Sequence, residues 1–264
     1  MIVIAERINA TRKRIGKAVA DRDAGFIARE AKLQADAGAT HLDCNAGRDP
    51  AKEVEDLQWM IGVVQDAVDL PICIDSANPQ AIAAALKMIR KMPMINSVTA
   101  EKARLDQILP LARDHEALLV GLCMGDSGMP DGAAERIRAA EQVRDAAARF
   151  GIGVDRLYFD PVVVPVSTKA SEALAAIETV AHIMKQFGGA HTTCGLSNIS
   201  FGLPNRNTLN RTFLAMLMAA GLDGVIMDPT EPHMMSTVLA AQAIVGRDEL
   251  CMDYIRAGRA EKLD

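Results

Sequence analysis

Glu6, Asn9, Asp43, Asn45, Asp75, Asn96, Asp160, Asn198 and Asp228 share one placement in the chain: each closes a short apolar run. The runs read IVIA, THLDCN, PICID, MIN, LYFD, GLSN and GVIMD. An eighth run, ALLVGLCM, passes instead into Gly125 and Asp126. An ionised carboxylate only accepts hydrogen bonds, whereas an amide donates and accepts. Asp75 and Asp160 with Asn96 therefore suit a flat heterocycle rich in N–H donors, such as an aminopyrimidinone edge. A phosphate would need backbone N–H groups, Lys or Arg, and these run ends are acidic. A carboxylate buried without a partner is costly, so protein donors or a ligand must serve each one. For any single residue, helix capping is the plainer explanation, as in Asp75-Ser76-Ala77-Asn78. Capping explains the whole set poorly.

The elements that must carry these residues alternate along the chain. Strands are predicted at 2–5, 40–44, 71–75, 94–97, 117–123, 157–164, 191–197 and 224–228. Helices are predicted near 23–37, 51–67, 79–91, 101–115, 132–150, 171–187, 207–220 and 231–245, with a last one near 248–257. The helices show apolar residues at three- and four-residue spacing, as in Ile82, Ala85, Leu86 and Ile89. The strands are continuous apolar runs, as expected when both faces are buried in a parallel sheet. Gly38, Gly151, Gly188, Gly221 and Gly246 stand just past predicted helix ends, where a C-terminal cap is needed. Eight βα units in 264 residues predict a single-domain (β/α)8 TIM barrel over 1–264, with all strand ends at one mouth. A doubly wound open sheet would want a glycine-rich turn after the first strand, and Ala5-Glu6-Arg7-Ile8-Asn9 has none.

Half the residues are hydrophobic but only 3% are aromatic, with 14 Met, so the core must be aliphatic. A net charge of -5 argues against a nucleic-acid partner, which wants a basic face. No apolar run approaches the roughly 20 residues of a membrane span, so no membrane is expected. MIVIAERINA turns charged too early for a signal peptide. The five cysteines are widely spaced and four lie in apolar runs, which reads as free buried thiols in a cytoplasmic protein. Neither they nor His41, His115, His182, His191 and His233 show metal-ligand spacing, so no metal site is expected. Arg12, Lys13 and Arg14 read as a solvated turn or as a contact for an acidic tail.

MIVIAERIN, PICIDSANP, MINSVTAE, LYFDPVVVP, GLSNISFGLPNR and LNRTFLAMLMAAG together resemble the pterin-binding methyltransferases. That family includes methyltetrahydrofolate:corrinoid protein methyltransferases and the folate domain of cobalamin-dependent methionine synthase. The resemblance spans nearly the whole chain, in order. It implies that Asp75, Asn96 and Asp160 hold the pterin edge, that Asn198 faces N5 and its methyl group, and that Arg206 lies near the folate. Glu6, Asp43 and Asn45 match positions lining the same mouth, and Gly195, Leu196 and Ser197 would line it through backbone. Phe201 follows the methionine synthase pattern.

The implied reaction moves a methyl group between N5 of (methyl)tetrahydrofolate and the cobalt of a corrinoid. Asn198, Asp160 and water are the implied catalytic network. This chain carries no DxHxxG corrinoid signature, so cobalamin or another corrinoid is expected on a separate protein docking at the mouth, where the loop 124–132 suits a transient partner. The family also implies a homodimer. Two alternatives stay open: a dihydropteroate synthase-like enzyme, whose loop after the first strand reads differently from ERINATRKR, and a non-catalytic pterin-binding subunit of a corrinoid system.

Overall fold

The computed structural model describes residues 1–263. Its strands are β1 (Ile2–Asn9), β2 (His41–Asn45), β3 (Ile72–Asp75), β4 (Met94–Val98), β5 (Leu118–Leu122), β6 (Leu157–Asp160), β7 (His191–Thr192) and β8 (Gly224–Met227). They form one parallel sheet in the order β7-β6-β5-β4-β3-β2-β1-β8. The two edges meet through a parallel bridge between Gly195 and Ile226, where the Ile226 N–H donates to the Cys194 carbonyl at 2.9 Å. The sheet thereby closes into the barrel expected from the alternation.

Around it run α1 (Lys13–Ala20), α2 (Ala24–Asp36), α3 (Glu53–Ala67), α4 (Pro79–Leu86), α5 (Lys102–Asp114), α6 (Gly132–Arg149), α7 (Ser171–Gln186), α8 (Arg206–Ala220), α9 (Met234–Ile244) and α10 (Met252–Arg259). Outward strand residues such as Leu42, Ile74, Ile95 and Phe159 pack with helix residues such as Ile61, Ile82 and Val143. Full burial of one such side chain is worth about 1.5–3 kcal/mol, so this layer is where the helices gain their hold on the sheet.

Inside the barrel a separate layer is built from Ile4, Cys73, Met94, Val120, Tyr158 and Ile226. Side chains alternate faces along a strand. Two residues beyond each of these stand Glu6, Asp75, Asn96, Leu122, Asp160 and Asp228, so the polar strand ends form the next layer up, facing the mouth. Leu122 is the member from ALLVGLCM, which is why that sector of the layer is apolar.

Several boundaries differ from the sequence pattern. β1 runs on to Asn9 because a bulge between Ala5 and Ile8 resets its pairing with β2; Ile8 is then fully buried. β6 stops at Asp160, since Pro161 cannot donate to a ladder and Val162 turns to a φ of 56°. β7 has only two residues, and a 3₁₀ turn, Leu196–Ser200, replaces its expected end. Asn198 therefore sits on that turn and not on a strand. Arg12, Lys13 and Arg14 are exposed, as a solvated segment should be, but the turn passes at Lys13 into α1, which buries Ile15, Ala18 and Val19.

Candidate active site

On the β2–β4 side, Asp43 is buried and Asn45, Asp75 and Asn96 are half-buried above or beside it. Asn45 Nδ2 donates to Asp75 Oδ2 at 2.9 Å, and its own Oδ1 is held by the Gly47 N–H at 3.0 Å. Asn96 Nδ2 donates to Asp43 Oδ1 at 3.4 Å. Burial pushes both carboxyls up, and Asp43, beside Asp75, rises well above the usual carboxylate range. The turn after Asp75 and the end of β4 beside Asn96 are pinned by Arg104, which donates to the carbonyls of Ser76, Ala77 and Ser97 at 2.7–3.2 Å.

On the β6–β7 side, Asp160 is buried and accepts from the Val162 N–H at 2.7 Å and the Gly195 N–H at 3.3 Å. Burial outweighs these bonds and pushes its carboxyl up to about 6. Val162 is β-branched at positive φ, a costly conformation, and Arg136 secures it by donating to the carbonyls of Pro161 at 2.5 Å and Val162 at 3.1 Å. Arg136 is itself fully buried and paired with Glu172 at 2.7 Å. Asn198 is exposed, and its amide makes no hydrogen bond with a described residue.

The third sector joins β1, β8 and the turn after β7. A cavity of about 440 Å³ is lined there by Glu6, Arg12, Ser197, Arg206, Asp228 and Glu231, among others. Ser197 Oγ donates to Glu6 Oε2 at 3.4 Å; Arg12 reaches Glu6 at 3.3 Å and Asp228 at 3.9 Å. Burial raises the Glu6 carboxyl, against the pull of Arg12. Arg206 donates to the Ser197 carbonyl at 2.6 Å and to Ser200 Oγ at 3.0 Å, so it braces the turn that carries Asn198. Asp228 is taken up by Arg7 at 3.2 Å and by Thr230 at 2.6 Å. Asp75, Asn96 and Asp160 lie outside this cavity's lining.

Arg136 and Arg104 went unnoticed in the sequence reading. Arg136 has a local signal: it falls on the stripe Ala133, Arg136, Ala140, Val143 and Ala147, a charge among buried small residues that must find a partner. Arg104 has none, because its carbonyl partners lie on the loop after β3 and near the end of β4. Among the described residues no group of three or more His, Cys, Asp or Glu side chains is placed to hold a metal ion, and no helix is long and apolar enough to cross a membrane.

The sequence pattern of the family described as pterin binding enzyme matches residues 5–228, the span from β1 to Asp228 that carries the polar strand ends. The chain belongs to the pterin binding enzyme family. It is 36% identical to the methylcorrinoid:tetrahydrofolate methyltransferase of Eubacterium limosum, covering 100% of this chain and 98% of that one. It is 29% identical to methionine synthase of Mycobacterium tuberculosis over 94% of this chain, which is 22% of that larger protein. Among solved structures, this pterin binding enzyme superposes on a dihydropteroate synthase of Coxiella burnetii in complex with pteroic acid, with a TM-score of 0.73, 14% identity and 94% of each chain covered. Dihydropteroate synthase of Xanthomonas albilineans in complex with 7,8-dihydropteroate gives a TM-score of 0.67 at 20% identity, covering 92% of this chain and 93% of that one. At these identities the structures share the barrel fold.

Proposed function

We infer that this chain transfers a methyl group between N5 of a tetrahydrofolate and the cobalt of a corrinoid carried by a separate protein. Full-length likeness to the Eubacterium limosum methyltransferase carries this function. The donor set fits the substrate. Asp75 and Asp160 accept from the N–H groups of the pterin edge, Asn96 completes it, and Glu6, Ser197 and Arg206 line the neighbouring cavity. Asn45 orients Asp75, and Gly195 offers its N–H to Asp160. The corrinoid, on its partner, docks over the mouth and supplies the methyl acceptor or donor.

When the methyl group departs, N5 leaves as an amine, and an amine anion is a poor leaving group. A proton or strong hydrogen bond at N5 is therefore needed; such assistance is typically worth about 10²–10⁴-fold. Asn198 has no titratable proton. Its free amide turns from accepting to donating as the proton on N5 changes. Asp160, changing charge near pH 6, is the titrating member of the network, with water between. Four free, buried cysteines favour a cytoplasmic setting, and the family resemblance favours a homodimer, which sedimentation tests.

The deciding experiment is methyl transfer from methyltetrahydrofolate to free cob(I)alamin, followed by visible absorbance. Turnover is expected; binding without turnover would leave only a pterin-binding subunit, and condensation with p-aminobenzoate would mark a dihydropteroate synthase. Asp75→Asn and Asp160→Asn are expected to weaken folate binding, and unchanged affinity in both would overturn the pterin assignment.

A further inference from the structure

Asp75, Asn96 and Asp160 stand on β3, β4 and β6, and Asn198 sits on the turn after β7. In a tetrahydrofolate the carbon that bears the tail, C6, is bonded to N5, across the ring system from the edge these holders take. The tail therefore leaves toward β7, β8 and β1, by the cavity of about 440 Å³ that Arg12 lines. Beyond it lie the segments that follow β1 and β2. They form one lip of the mouth, since the strands are neighbours and the Ala10 N–H donates to the Asn45 carbonyl at 2.8 Å.

On that lip cations stand without partners. Lys13, Arg48 and Lys52 are exposed, and none forms an ion pair or a side-chain hydrogen bond among the described residues. Arg14, also exposed, lies over the Phe26 ring at 5.4 Å. Gly16 gives Arg48 its place against α1: a Cβ there would stand 2.8 Å from Arg48 Nη1. The nearby acids are mostly taken. Arg22 holds Glu55 and Asp56, each at 2.7 Å, and Lys17 holds Asp21 at 2.5 Å; Asp49 is the acid left over, bonded to the Ala51 N–H at 3.1 Å. On other mouth loops the cations are engaged: Lys102 with Asp106 at 2.6 Å, Lys169 with Asp131 at 2.5 Å, and Arg104 and Arg206 with backbone carbonyls.

We propose that this lip binds the γ-linked oligoglutamate tail of the folate substrate, with Lys13, Arg48 and Lys52 taking its carboxylates. This rests on the pterin reading above. Charge complementarity carries it: the strand ends inside the mouth are acidic and repel a carboxylate, whereas the lip on the tail's path is cationic. A cavity of about 520 Å³ lined by Gly16, Arg48 and Lys52 gives the tail room.

The test is calorimetry with methyltetrahydrofolate carrying one or three glutamates. One exposed ion contact is worth up to about fivefold in affinity, so the two added carboxylates are expected to lower Kd about tenfold at low salt. In about 0.5 M salt, where screening is strong, the ratio is expected to fall below about threefold. Arg48→Glu/Lys52→Glu is expected to bring it to about one, and the neutral Arg48→Gln/Lys52→Gln serves if the reversal unfolds the chain. Lys87→Glu/Lys185→Glu, an equal charge reversal at the far ends of α4 and α7, is expected to keep the full ratio. Equal Kd for both ligands in the parent protein, a ratio that survives changes at Arg48 and Lys52, or equal losses in both double reversals would overturn the proposal. p-Aminobenzoyl-triglutamate, which lacks the pterin, separates the two readings. If it binds, and loses binding in Arg48→Glu/Lys52→Glu, while monoglutamyl methyltetrahydrofolate does not bind, the pterin assignment fails and the tail site stands.

Discussion

The backbone N–H of Gly195 donates to Oδ2 of Asp160 at 3.3 Å. This bond links the turn carrying Asn198 to the carboxylate that closes β6. It also explains why β7 ends early: the chain leaves the ladder to aim an N–H at a buried charge.

The same glycine leaves room for Asn198. A Cβ added at Gly195 would stand 3.0 Å from Asn198 Nδ2, tighter than most real contacts, so the amide must shift. Gly195→Ala is expected to lower turnover about tenfold or more, since small misplacements of a reacting group are costly. Folate Kd is expected to hold. Stopped-flow methyl transfer beside calorimetry checks both.

Asp160 sets an acid limb. Its carboxyl is raised from 3.8 to about 6, so it is mostly ionised at pH 7 and protonated below about 6. Folate Kd is expected to rise about tenfold per pH unit below that point, and Asp160→Asn is expected to flatten this limb. The folded chain holds this proton more tightly than the unfolded chain. Its contribution to stability is therefore full below 3.8 and lost as pH rises through 6. Denaturation across pH 4–7 reads the second effect and ligand titration the first.

Asn198→Ala removes a side chain that bonds to no described residue, so stability is expected to change by less than about 0.5 kcal/mol. Turnover is expected to fall while folate still binds. Turnover near that of the parent protein would remove Asn198 from the mechanism.

Arg136→Met leaves Glu172 buried and strips the donors from the Pro161–Val162 turn. Glu172 keeps only Lys169, at 3.0 Å. Breaking a buried pair costs about 3–5 kcal/mol, and urea denaturation is expected to show a loss of that order. Folate binding is expected to weaken with it, because the Val162 N–H that holds Asp160 is no longer secured.

Local pattern was enough for the barrel and for most of the mouth. Strand and helix periods are set by neighbours within a few residues. A polar side chain two residues past an interior one is legible wherever the strand is regular. That is why the strand-end positions of Glu6, Asp75, Asn96, Asp160 and Asp228 are legible in the sequence. The pattern broke down where pairing partners decide. The β1 bulge depends on β2, the short β7 depends on Asp160, and α1 depends on a core surface that waits to receive Ile15.

Division of labour among the polar ends was decided only by the tertiary structure. Glu6 and Asp228 turn toward Arg12 and Arg7, Asp43 sinks behind Asp75, and Arg136 reaches 25 residues along the chain to hold the turn after Asp160. Sequence decides which groups are present and which face they take, because those follow from covalent geometry. Which carboxyl keeps a proton, and which accepts from a ligand, depends on solvation and on partners brought near by folding.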